Sequence, residues 1–376
     1  MSARDELKAA KRIVVKVGTS TITHETGRMD YGRMEKLVRE IADLRNAGRE
    51  MVLVTSGAIA AGLDHLGRKE RPTGIPERQA VAAIGQCALM HIYDKLFAEY
   101  GQVAGQVLLT KDNYLHHHQY SNSRNALRAL LQMGAVPVIN ENDAVSVDEV
   151  KIGDNDTLSA MVANLVDADA LIILSDIDGV YTANPQTDAN ARLLSEIREI
   201  TPEIEQLAGG AGSKMGTGGM MTKIEAAKIA RSSGTVMVIA PGAREHVLHD
   251  CLSGAPVGTL FPAKEAHLAA RKSWLAFGKN LAGDIVVDAG CERALVERGA
   301  SILAAGIVEI AGDFAAGSTV RVLSAAQQEI ARGIVNYDAA SLAKIIGRQT
   351  KDFASLLGEE ELREEVIHRD NMVLMV

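Results

Sequence analysis

The sequence predicts an α/β protein: a three-layer αβα domain built on a mainly parallel central sheet, followed by a small β-rich barrel. Three observations carry that prediction. Short, near-continuous runs of Val, Ile and Leu recur through the first two thirds of the chain, and such runs suit strands buried on both faces. Amphipathic stretches lie between them, and regular alternation of strand and helix implies parallel strands joined by helical crossovers. Beyond Pro262 the pattern changes to short strands punctuated by glycine, as in a small barrel.

In chain order, the buried strands are "RIVVKVG", "EMVLVTSG", "GQVLLT", "AVPVIN", "ALIILSD" and "VMVIA". Residues 31–47, 77–100 and 224–231 read as helices between them. The later strands are "GDIVVDAG", "GIVEIAGDF" and "STVRVLS". The expected division is a first domain at 1–262, a linker at 263–279, a β-rich domain at 280–360 and a tail at 361–376 that ends "EVIHRDNMVLMV". In parallel sheets, ligands gather at the carboxyl ends of strands. Here those ends carry Gly18-Thr19-Ser20, Thr55-Ser56-Gly57, Asn140 to Asp143, and Ser175-Asp176.

Composition narrows the function classes. The 376 residues exceed what one core usually fills, and an apolar content of 47% is ordinary for a folded protein. A net charge of −8 disfavours a broad nucleic-acid surface. Cys87, Cys251 and Cys291 lie far apart and form no metal-like pair, and the first apolar run covers only residues 13–17. A reducing cytoplasm is the expected location. No apolar stretch approaches the ~20 residues of a membrane-spanning helix, so no membrane partner is expected.

The stretch "GTGGMMTK", residues 216–223, sets three glycines before a lysine and a helix. Glycine lets backbone N–H groups approach a ligand, and a helix start favours an anion. Two common fingerprints are absent. No Gly-Lys-Ser/Thr occurs, which excludes a Walker A loop, and Met221 stands where a dinucleotide loop needs its third glycine. A second lysine points the same way. Lys16 sits inside the strand "VVKVGTS", where a charge is costly unless it meets an anion. Two lysines converging on one phosphoryl group would neutralise charge on its oxygens, which is most of what phosphoryl transfer asks of a protein. The triplet His116-His117-His118 does not make a metal site, because consecutive residues cannot all point at one ion.

The motifs "VVKVGTS", "VTSGAIAAG", "QVLLT", "VPVINENDAV", "KIGDNDTLSA", "GVYTANP", "GTGGMMTK" and "IHRDNM" resemble, in this order, those of the glutamate 5-kinases of the amino acid kinase superfamily. The β-rich remainder resembles the PUA domain that many of these kinases carry, commonly an RNA-binding module elsewhere. The resemblance implies an amino acid kinase-like fold and ATP-dependent phosphorylation of the γ-carboxylate of L-glutamate, the first step of proline biosynthesis. It makes Lys16 and Lys223 the residues that stabilise the transferred group, and Asp156 the residue that holds both. Ser56, Gly57, Asp143 and Asn155 become substrate contacts, with Asp143 suited to the α-ammonium group. Lys16, Ser175, Asp176 and the loop Thr217, Gly218, Gly219, Met220, Met221, Thr222 and Lys223 become nucleotide contacts.

Each position also has a plainer role to be weighed: Lys16 as an edge-strand residue reaching water, Ser56 and Asp156 as helix caps, and Asp143 as a loop turn. Two positions depart from the family pattern: Ser175 replaces the usual Thr, and Asn184 replaces the usual Asp, which removes a charge beside the nucleotide site. Lys214 is read as facing solvent. The resemblance further implies Mg²⁺ arriving with ATP rather than in a protein cage, a homodimer or homotetramer, L-proline as feedback inhibitor, and glutamyl phosphate reductase as a partner. Phosphorylation of acetylglutamate, aspartate, carbamate or uridylate is disfavoured by the "INENDAV" and "GDNDT" pair. RNA binding as the main role is disfavoured too, since residues 281–360 hold 7 Lys and Arg against 11 Asp and Glu.

Overall fold

The structure, a computed structural model, describes residues 3–110, 113–114, 117–145, 155–185, 187–188, 190–208, 219–264, 281–348, 353, 356 and 364–375. It comprises two compact units, Met1–His267 and Leu268–Val376. The linker expected at 263–279 lies, from residue 265 onward, outside the described residues.

The first unit is built on seven strands: β1 (Arg12–Val17), β2 (Glu50–Val54), β3 (Ala104–Leu109), β4 (Val136–Glu141), β5 (Ala170–Ser175), β6 (Val236–Pro241) and β7 (Thr259–Phe261). Their order is β3-β4-β2-β1-β5-β6-β7. Every neighbouring pair is parallel except β6 and β7. The expected parallel sheet is therefore present, closed at one edge by an antiparallel strand. The chain leaves β1 for β2 on one side and later returns to β5 on the other, so the order reverses at β1. In such sheets the crevice at the carboxyl end of the reversal strand is where ligands bind.

The alternation of a strand then decides which layer each residue of β1 meets. Ile13, Val15 and Val17 enter a core cluster with Leu37, Val38 and Ile41 of helix Tyr31–Asn46 and with Leu89, Tyr93 and Phe97 of helix Ile75–Glu99. Most members of that cluster are fully buried, and at roughly 25 cal/mol per Å² of apolar surface it is a main source of stability. Asp30 starts the first of these helices, its side chain accepting the N–H of Arg33 at 3.0 Å. Lys16, between Val15 and Val17, faces the opposite layer, which holds helices Asn155–Leu165 and Met220–Ser232.

Helices Ala58–His65 and Ile75–Glu99 touch backbone to backbone. A Cβ at Gly85 would lie 1.7 Å from the Ala58 carbonyl oxygen, and one at Gly62 would lie 2.1 Å from that of Val81. Only hydrogen fits at either place. This contact seats the start of the shorter helix, and with it the Ser56-Gly57 loop.

The second unit contains β8 (Gly283–Val287), β9 (Ile302–Leu303), β10 (Ile307–Ala311), β11 (Thr319–Leu323), β12 (Glu329–Ile334), β13 (Glu365–Ile367) and β14 (Met372–Leu374). Five of them form a sheet in the order β10-β8-β11-β12-β14, with only β8 and β11 parallel, and β13 pairs with β9. Within the segment 361–376, read from sequence as a tail, the described residues 364–375 carry two strands. Its β13 and β14 bury Val366, Ile367, Met372 and Val373 and complete the two sheets of this unit. Among the described residues, no helix is long and apolar enough to cross a membrane.

Candidate active site

At the carboxyl end of β1 the structure brings Lys16, Asp156 and Lys223 together. Lys16 Nζ lies 2.7 Å from Asp156 Oδ1, and Lys223 Nζ lies 3.0 Å from Asp156 Oδ2. All three are buried, at 7%, 1% and 6% exposure. The plain reading of Lys16 as an edge-strand residue fails, because β1 is flanked by β2 and β5 and its lysine stands opposite Val54 and Ile173. Burial by itself pushes the Asp156 carboxyl up, but the charges of Lys16 and Lys223 outweigh it and hold the group down at about 2. Asp156 is accordingly ionised at neutral pH. Two ammonium groups then share one carboxylate in a place with little water, and the surplus positive charge suits an anion.

Asp156 stands in the first turn of helix Asn155–Leu165, where the helix dipole favours a carboxylate. Thr222, in the first turn of helix Met220–Ser232, donates its hydroxyl to Asp156 Oδ2 at 2.8 Å. The starts of two helices are thereby tied together, and both lysines are held by one residue. Gly219 precedes the second helix with an extended φ of −103°, and a Cβ there would meet nothing within 4 Å. Its value therefore does not lie in left-handed backbone or in crowding. Met220 and Met221 are half-buried at the helix start. Thr217, Gly218 and Lys214 lie outside the described residues.

A second cluster adjoins the first through Asn155. Its Nδ2 donates to the Thr55 carbonyl at 2.7 Å, to Ser56 Oγ at 2.9 Å and to Asn140 Oδ1 at 2.9 Å. Ser56 is not a helix cap. That position belongs to Gly57, whose φ of 95° a side chain would strain and whose Cβ would crowd Ile22 at 3.0 Å. Thr55 is fixed beneath by Tyr93, with 2.8 Å between their oxygens. Asp143 sits in the turn after β4, with Val145 N–H donating to the Asn142 carbonyl, and lines a cavity of about 370 Å³ with Glu141 and Ala58. At the end of β5, Ser175 donates its hydroxyl to Asp176 at 3.0 Å.

Residues 11–241 match the model of the amino acid kinase family, and residues 283–357 match that of the PUA domain. The chain is 50% identical to the glutamate 5-kinase of Moorella thermoacetica over 98% of its length and 97% of that protein. It is 49% identical to the glutamate 5-kinase of Carboxydothermus hydrogenoformans over 99% of its length and 100% of that protein. The Vibrio vulnificus glutamate 5-kinase is 45% identical over 97% of this chain and 96% of its own. The chain belongs to the amino acid kinase family.

Within this amino acid kinase, two buried polar side chains were given no role by the sequence, although Asn140 was named among the polar ends of the strands. Asn140, at 2% exposure, connects Asn155 to helix Ile75–Glu99, where its Nδ2 donates to Gln86 Oε1 at 2.8 Å. Asn140 was visible only as one of several polar residues ending "VPVINEND". Gln86 had a signal of its own, a lone amide in the otherwise apolar helix face "VAAIGQCALM". The Asn184 carbonyl accepts the N–H groups of Thr187 and Asp188, which makes the departure from the family pattern part of a surface turn.

Proposed function

We propose that the protein transfers the γ-phosphoryl group of ATP directly to the γ-carboxylate of L-glutamate, giving L-glutamyl 5-phosphate for proline biosynthesis in the cytoplasm. The observation that carries this reading is the pair of buried lysines on Asp156. A carboxylate is already a nucleophile at neutral pH, so the reaction needs no general base and no covalent enzyme intermediate. Its main barrier is bringing two anions into line. Lys16 and Lys223 supply the compensating charge, and Asp156 keeps the two ammonium groups at a fixed separation. ATP would lie along the start of helix Met220–Ser232, with Ser175 and Asp176 as further contacts. Mg²⁺ would arrive on the phosphates and retain water ligands. Ser56, Gly57, Asn155 and Asp143 would receive glutamate, a reading supported by the glutamate 5-kinase relatives. A homodimer or homotetramer, and transfer of the labile product to glutamyl phosphate reductase, belong to the same proposal.

The direct test is an ATP- and glutamate-dependent hydroxamate assay on the purified protein, with aspartate and acetylglutamate as alternative acceptors. Glutamate should be the preferred acceptor, and L-proline should inhibit in competition with it. Equal activity on the other acids would refute the assignment of substrate.

Asp143→Ala checks the amino-acid end of the site. Removing its carboxylate should raise KM for glutamate by roughly tenfold or more and leave KM for ATP near its original value. A change confined to ATP would place Asp143 elsewhere in the mechanism.

A further inference from the structure

Gln86 lies beside the site, and its orientation is fixed by groups that have no alternative polarity. The Thr55 carbonyl can only accept, so the Asn155 atom 2.7 Å from it is Nδ2. The Glu141 backbone N–H can only donate, so the Asn140 atom 2.9 Å from it is Oδ1. That same Oδ1 receives Asn155 Nδ2. Asn140 must then direct Nδ2 at Gln86, which presents Oε1 at 2.8 Å. Gln86 Nε2 is consequently turned away from the relay with both of its N–H groups. Among the described residues Nε2 has no hydrogen-bond partner and is itself shielded from solvent, while the Gln86 side chain, 9% exposed, lines the cavity of about 370 Å³ that also reaches Ala58, Cys87, Met90, Glu141 and Asp143.

A buried amide donor without a partner is costly, and the cost is removed when a ligand supplies an acceptor. The same cavity carries two carboxyl groups, from Glu141 at the end of β4 and from Asp143 in the turn after it. Amide donor and carboxyl groups together complement a zwitterion, with the ammonium facing the acids and the carboxylate facing the amide. We propose that Gln86 determines specificity by donating from Nε2 to the α-carboxylate of the amino-acid substrate. This rests on the glutamate reading above and adds to it the group that distinguishes an α-amino acid from a simple ω-amino acid. The relay through Asn140 and Asn155 to Ser56 Oγ links the recognition of that end to the loop holding the other.

The test compares L-glutamate with 4-aminobutyrate, which keeps the ammonium and the reacting carboxylate but lacks the α-carboxylate. In Gln86→Met, KM for glutamate should rise roughly tenfold or more while kcat and KM for ATP stay within about threefold. The inhibition constant of 4-aminobutyrate against glutamate should stay within about twofold, since that molecule never used the donor. Gln86→Glu retains an acceptor for Asn140 and so preserves the relay, but replaces the donor with a negative charge. It should weaken glutamate more than Gln86→Met does and leave 4-aminobutyrate unaffected. Equal losses for both molecules would make Gln86 only a support for Asn140 and overturn the proposal. Binding of glutamate by Gln86→Glu as tight as in the unsubstituted protein would overturn it as well. If the unsubstituted protein makes no glutamyl hydroxamate, the glutamate reading itself falls, an outcome distinct from either variant result.

Discussion

Lys223→Ala should lower kcat by roughly 10²-fold or more while changing the Michaelis constants for ATP and glutamate little. The reason is where the ammonium stands. Its Nζ is 3.0 Å from Asp156 Oδ2 and buried, so it acts in a low-dielectric place where charge on a group in flight is felt strongly. On the proposed reading, a substrate at rest would have other partners, whereas the transferring phosphoryl group would lie between donor and acceptor and depend on this one. Folding should survive, because the remaining Lys16–Asp156 pair is still balanced. Steady-state kinetics on the folded variant decide the matter. Turnover at the unsubstituted rate would reduce "GTGGMMTK" to a connection between a loop and a helix.

Asp156→Asn is expected to have the larger combined effect. The side chain keeps its shape and its hydrogen bond with Thr222, but two buried ammonium groups lose their only described carboxylate. Removing one side of a buried pair commonly costs about 3–5 kcal/mol, and denaturant unfolding should show a loss of that order. Turnover should fall by about 10³-fold, as both lysines lose their placement. The pH dependence gives a second readout. The carboxyl titrates at about 2 in the folded protein against a reference value of 3.8. Its depressed value means that its contribution to stability is complete above about pH 4 and is lost as the pH falls through 2. In Asp156→Asn that portion of the acid limb should be missing. A variant that melts and turns over like the parent would show that Asp156 does not organise the lysines.

Much of this arrangement was legible in the chain, for identifiable reasons. Strands β1, β2, β4, β5 and β6 are buried as expected, but β3 is an edge strand with only Leu109 buried. All six parallel strands were visible because each falls at an apolar run ending at a small or polar residue. Strand β7 was not, since three residues show no period. The tail strands β13 and β14 were missed because each is equally short and draws its stability from partners distant in sequence, β9 and β12. Lys16 stood out as a charge in a buried strand, and Lys223 as a lysine after a glycine loop. That they meet on Asp156 follows from the sheet order, which no local pattern encodes. The contact between Asn140 and Gln86 was hidden for the same reason. An amide looks alike in sequence whether it faces water or completes a buried chain of donors and acceptors.

The contact between Gly62, Gly85 and the carbonyls of Val81 and Ala58 has a mechanical consequence. Where side chains separate two helices, rotamer changes absorb small shifts, but at these two glycines backbone rests against backbone. Helix Ile75–Glu99 and helix Ala58–His65 are therefore expected to shift together, with Gln86 on one and Gly57 at the start of the other. Tilting the long helix, by whatever packs on its outer side, displaces the Ser56 loop by a proportionate distance. A single methyl group added at Gly85 would meet the Ala58 carbonyl and wedge this joint open.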